Sequence, residues 1–152
     1  MITQLAPLAM AAILIAAMGI EIRIGRIPNW LTLLPFVLFA AVFVMADDWS
    51  SLYWQIGFAA VVFVAGLLLF AFAGFGAGAV KLVTGLALFM PFDTVGYAVL
   101  VFIVALFVST VFIIQLRKMI GSEQSTWHLR ANAVLPMSVP IGIAGLAALF
   151  LL

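Results

Sequence analysis

"FGAGAVKL", residues 75–82, interrupts an otherwise apolar chain. It places two glycines, Gly76 and Gly78, and one lysine, Lys81, between two hydrophobic blocks. Glycine frees the backbone to take positive φ or to approach another helix closely. Irregular backbone survives at membrane depth only where protein or water satisfies it. Two readings follow. The stretch is a re-entrant loop lining an active site, or it is a small-residue contact between helices, with Lys81 extending its stem to the interface.

The rest of the chain supplies the membrane. Of 152 residues, 68% are hydrophobic and 7% charged, whereas a soluble domain carries about 45–50% and about 25%. A soluble core of this length cannot hide that much apolar surface. The composition predicts an all-α membrane protein with one membrane-embedded domain over 1–152 and the lipid bilayer as its constant partner. A net charge of +1 gives no nucleic-acid footprint. The absence of cysteine excludes disulfides and thiolate metal sites. His128 is the single histidine and reads as a solvated loop residue, so no metal and no cofactor are expected. Ser109, Thr110 and Ser125 have no base partner in the sequence pattern, and no serine nucleophile is expected. The first twenty residues lack a basic leader and a convincing cleavage site, so they read as a retained span.

Hydropathy predicts six spans, near 3–20, 30–46, 52–73, 80–92, 95–116 and 132–152. The fourth is short: thirteen residues cover about 20 Å, less than the ~30 Å hydrocarbon core. It is either covered by its neighbours or merged with the fifth, and Pro91 and Asp93 in "MPFD" argue for a break. Every Lys and Arg falls in alternate connections: Arg23 and Arg26, then Lys81, then Arg117, Lys118 and Arg130. Asp47, Asp48 and Asp93 occupy the others. The positive-inside rule then puts both termini outside the cytoplasm and the basic connections within it.

Two further stretches interrupt the apolar pattern. In "GIEIRIGRIPNWLT", 19–32, Glu21 and Arg23 lie at the end of the first span. Pro28 drives its predecessor toward extended backbone, and Asn29 is placed to cap a helix starting at Trp30. The alternative is an interfacial proline turn with Trp30 as a belt residue. In "LPMSVPIGIAG", 135–145, two prolines and two glycines predict a kinked or partly unwound helix. Pro140 and Gly142 would then border a groove for a substrate backbone, or the kink simply improves packing.

Together these stretches resemble the type IV prepilin peptidases, membrane aspartyl proteases of the GxGD type. The resemblance covers nearly the whole chain and fits the short branch without a methyltransferase domain, which serves Flp-type pili. The family pattern after the first span is Asp, then Arg, then Ile-Pro-Asn; here Glu21, Arg23 and Ile27, Pro28, Asn29 stand there. The pattern after the third span is Gly-x-Gly-Asp, a hydrophobic residue and Lys; here it is Gly76, Ala77, Gly78, Ala79, Val80 and Lys81. The Pro-x-Gly-x-Ala-like stretch of the last span is matched by "VPIGIAG".

The resemblance implies a prepilin-peptidase bundle in the bacterial inner membrane, with its active-site loops on the cytoplasmic face. It implies an aspartic endopeptidase that cuts the basic leader of a pilin precursor. It also identifies a departure. Both catalytic aspartates are replaced, the first by Glu21 and the second by Ala79. Hydrolysis of this kind needs two carboxyls sharing a proton, one acting as acid and one as base. Alanine transfers no proton, so the expected state of this chain is inactive or strongly impaired. Ala79 is either a natural loss or an introduced substitution. The competing functions are a non-catalytic pilin-binding or assembly factor on the same fold, and a small transporter subunit. A transporter would keep ionisable groups at mid-span, and these spans carry almost none.

Overall fold

A computed structural model describes residues 2–46, 49–120 and 136–150. Among them are six α-helices, one 3-10 turn and no strand. The helices are α1 (Ile2–Ile24), α2 (Asn29–Val44), α3 (Ser50–Ala73), α4 (Ala77–Ala87), α5 (Val95–Ile120) and α6 (Ser138–Phe150), with the 3-10 turn Phe92–Thr94 ahead of α5. This is a membrane helical bundle, as the composition requires.

Three helices contain segments long and apolar enough to cross a bilayer: Leu5–Ile24, Leu52–Phe72 and Val95–Phe112. The other three are shorter apolar helices. The fourth span is the shortest of all, Ala77–Ala87 rather than 80–92, or about 16 Å of helix. Its neighbours explain how so short a helix persists. It packs on α2, α3 and α6, and Ala79, Val80, Leu82 and every residue from Thr84 to Ala87 are buried. A helix covered on so many sides has no need to match the bilayer thickness. The break before α5 is real: Leu88 ends α4, and the 3-10 turn carries exposed Asp93 at the far end of α4 from Ala79.

The main core cluster joins Met10, Leu14 and Ala17 of α1 to Ile27, Leu31, Ala79, Leu82, Leu86 and Ile141. A second cluster centres on Phe39, Leu52 and Leu88. Near it, Phe43 stacks on Trp49 at 5.4 Å and Phe39 meets Phe89 edge-on at 5.8 Å. An apolar cavity of about 110 Å³ lies between α3, α4, α5 and α6, with Phe58, Met90 and Phe102 on its walls. Neither Glu21 nor Ala79 lines it.

The glycine stretch resolves into a tight helix–turn–helix. Positive φ falls on Gly74, at +68°, not on Gly76 or Gly78. Gly74 ends α3 in the left-handed conformation, and the Phe75 N–H returns to the Leu69 carbonyl at 3.3 Å. Gly76 has extended backbone at the start of α4. Gly78 lies inside α4, and its close approach is to Ile27 in the turn between α1 and α2 rather than to another helix. A Cβ on Gly78 would stand 3.1 Å from Ile27 Cβ and 3.3 Å from the Ile27 carbonyl oxygen. That backbone cannot swing aside as a side-chain end can. Gly78→Ala gains about 1 kcal/mol of helix propensity against this crowding and is expected to be near neutral. Gly78→Leu is expected to cost about 1–3 kcal/mol by overpacking. Thermal unfolding in detergent checks both, and an unaffected leucine variant would disprove the close approach.

Candidate active site

All three motifs meet at one end of the bundle. Short turns join the end of α1 to the start of α2, and the end of α3 to the start of α4. Two long-range hydrogen bonds tie these ends together. Lys81 Nζ donates to Asn29 Oδ1 at 3.0 Å, linking α4 to α2. The Ser138 backbone N–H donates to Glu21 Oε2 at 2.6 Å, linking α6 to α1.

Asn29 therefore does something other than expected. Helix α2 starts at Asn29 itself, with extended Pro28 ahead of it, and no side chain caps the helix. The Pro28 carbonyl takes the first N–H bonds, from Leu31 at 3.1 Å and Thr32 at 3.3 Å. The Asn29 side chain is left for Lys81, and the Asn29 backbone carbonyl accepts from Thr32 Oγ1 at 2.9 Å. Proline is well suited to this place because it pre-sets φ and has no N–H to satisfy. Arg23 and Trp30 are exposed on the rim of the same end.

Glu21 is half-buried in the last turn of α1. The chain then reverses at Gly25, whose φ is +78° and whose N–H returns to the Glu21 carbonyl at 2.7 Å. The Glu21 carboxylate meets the first residue of α6, where helix N–H groups lack partners and carry partial positive charge. A bond of this charge-assisted kind is worth about 1.5–3 kcal/mol. Ser138 carried no role in the sequence reading. The available signal was a small polar residue between Pro136 and Pro140 at the start of the last span.

The prolines of that span start the helix and do not kink it. Pro140 lies in the first turn of α6, where a missing N–H removes nothing the helix needs. The predicted start at 132 falls outside the described residues. Pro140 and Gly142 are buried, and a Cβ on Gly142 would meet Met18 Sδ at 2.5 Å. Gly142 faces into the contact between α1 and α6.

Ala79 lies in the first turn of α4 and is 2% exposed, with its methyl part of the main core cluster. Among the described residues the acids are Glu21 and Asp93, and Asp93 is at the opposite end of α4. Asp47, Asp48 and Glu123 lie outside the described residues. This end of the bundle thus presents one carboxylate, engaged by a helix start, and at position 79 a buried methyl group.

The Asn29–Lys81 bond has a direct test. Asn29→Ala and Lys81→Met are each expected to destabilise the protein by about 0.5–1.5 kcal/mol, and the double variant by little more than either alone. Additive losses in thermal melts would show that the two side chains do not interact.

The motif order and this convergence agree with the comparison against protein families. The family model described as the type IV leader peptidase family matches residues 8–114. The match includes Glu21, the Ile-Pro-Asn turn and the glycine stretch, and ends before α6. No curated protein matches, and no solved structure matches. With more than half of its length matched in the order the site requires, the chain belongs to the type IV leader peptidase family.

Proposed function

We propose that this chain binds the basic leader of a type IV or Flp pilin precursor at the cytoplasmic face of a bacterial inner membrane and, with the residues it has, does not hydrolyse it. The reading rests on family membership and on one observation: the position of the second catalytic acid holds a buried methyl group, Ala79.

Cleavage would require an ionised carboxylate to take a proton from water as the oxygen attacks the scissile carbonyl carbon. A protonated carboxyl would donate to the carbonyl oxygen, and the tetrahedral adduct would then break with proton transfer to the leaving nitrogen. Glu21 supplies one carboxyl group. Asp93 is too remote to be the other, because it lies beyond the opposite end of α4. The leader enters this reading as a cationic segment followed by an apolar helix. Glu21 contributes negative charge to its recognition, and the bilayer accommodates the helix.

Position 79 is well placed to accept the missing group. It is the third residue of α4, where a carboxylate is favoured by the helix N-terminus at about 0.3–1 kcal/mol. Burial there favours the neutral form of an introduced carboxyl, which suits the acid of the pair. Ala79→Asp is therefore expected to raise cleavage of a pilin precursor by about 10²-fold or more over the unmodified chain. Both chains should bind a leader peptide, less tightly as salt rises. The measurements are precursor cleavage in membranes and leader-peptide binding in detergent. Robust cleavage by the unmodified chain would overturn the loss of hydrolysis. Failure of both chains to bind leader would overturn the assignment of the partner.

A further inference from the structure

We propose that Ser138 is the positioning residue for the carboxylate at position 21, and that glutamate stands there because its length reaches the start of α6. The contact is the last step of an ordered seam. A Cβ on Gly145 would stand 2.7 Å from Leu14 Cδ1, and one on Gly142 would stand 2.5 Å from Met18 Sδ. Ser138 then meets Glu21. Residues 14, 18 and 21 ascend α1 while 145, 142 and 138 descend α6. The two helices therefore run antiparallel, with glycine at two successive contacts on α6.

That spacing brings a backbone donor onto the carboxylate. Ser138 is completely buried and bonds α1 twice: its N–H to Glu21 Oε2 at 2.6 Å, and its Oγ to the Ala17 carbonyl at 3.3 Å. Ala17 and Glu21 are four apart, so both lie on one face of α1. The first turn of α6 is otherwise complete. The Val139 N–H goes to the Pro136 carbonyl at 3.2 Å and the Ile141 N–H to the Met137 carbonyl at 3.3 Å, while Pro140 has no N–H. Ser138 N–H is the donor this turn leaves over, and Glu21 takes it. Aspartate is shorter by one C–C bond, about 1.5 Å. Added to 2.6 Å, that exceeds hydrogen-bond range.

The inference reaches the catalytic site only through the functional reading above, so two tests are independent of activity. Glutamate occurs only at 21 and 123. In a Glu123→Gln chain in bilayers, labelled with 13Cδ-Glu and 15N-Ser, solid-state NMR should detect a Glu–Ser carboxyl-to-amide contact. Its absence would overturn the proposal. In detergent, Glu21→Asp and Ser138→Pro should each lower the unfolding midpoint by several degrees, and the double variant no further than the worse single. Proline is tolerated at a first helical position; it removes the N–H together with the hydroxyl bond to Ala17, and Ser138→Ala measures the hydroxyl's share. Glu21→Gln keeps an acceptor and should lose less, as should Ser138→Ala, which keeps the N–H. Additive losses would overturn the proposal.

The third test uses the Ala79→Asp chain. There Ser138→Pro should lower kcat about tenfold or more with KM unchanged, the signature of a misplaced reacting group. An unchanged kcat would refute the positioning role. A silent Ala79→Asp chain, with the first two tests positive, would overturn position 79 as the seat of the missing acid and leave the Glu21–Ser138 contact established.

Discussion

The hydrogen bond from Ser138 to Glu21 closes the bundle at the end where its motifs meet. Ser138 is completely buried, so its N–H is out of reach of water and must find a partner in the protein. The start of α6 meets this demand with two carbonyls, one proline and one carboxylate. The carboxylate is the one element of that set drawn from another part of the chain. It fixes the register of α1 against α6, and with it the face of α1 that carries Ala17 and Glu21.

The same demand explains why α4 can be short. Eleven residues cannot cross a membrane, but a helix enclosed by α2, α3 and α6 meets protein rather than lipid. Close approach at Gly78 draws α4 against Ile27, and Lys81 then reaches Asn29. Enclosure has a chemical consequence. Position 79, one residue beyond Gly78, is carried into the core and away from water.

Much of this was legible in the sequence, and the reason differs from part to part. Apolar runs and the alternation of basic and acidic connections gave the helices and their order, because the bilayer acts on every residue alike. The short fourth helix and the break at Pro91 could be read from length and proline chemistry. The partner of Asn29 could not be read, since capping is a local option for asparagine while Lys81 is 52 positions away. The sequence suggested an unwound last span because proline usually interrupts helices. The structure puts Pro140 in a first turn, where the interruption has nothing to break. Ser138 left only the faint signal of a small polar residue between two prolines, because its backbone N–H carries the contact and every residue except proline has one.

The residues at positions 21 and 79 act in the same physical direction. A carboxyl at position 79 would have to be desolvated among Leu82, Ile27 and their neighbours, a burden that enzymes carry for function and that weakens the fold. The alanine methyl removes this cost and joins the core. At position 21 the longer acid reaches a helix start and gains a bond that stabilises the bundle. Under the proposed loss of hydrolysis these changes are complementary: one acid is exchanged for packing, and the other is committed to joining two helices. The apparatus around them is retained, with the glycine approach at Gly78, the Asn29–Lys81 link and the α1–α6 seam all intact. Under the proposed function, the end of the bundle that these contacts hold together is the face that meets the leader.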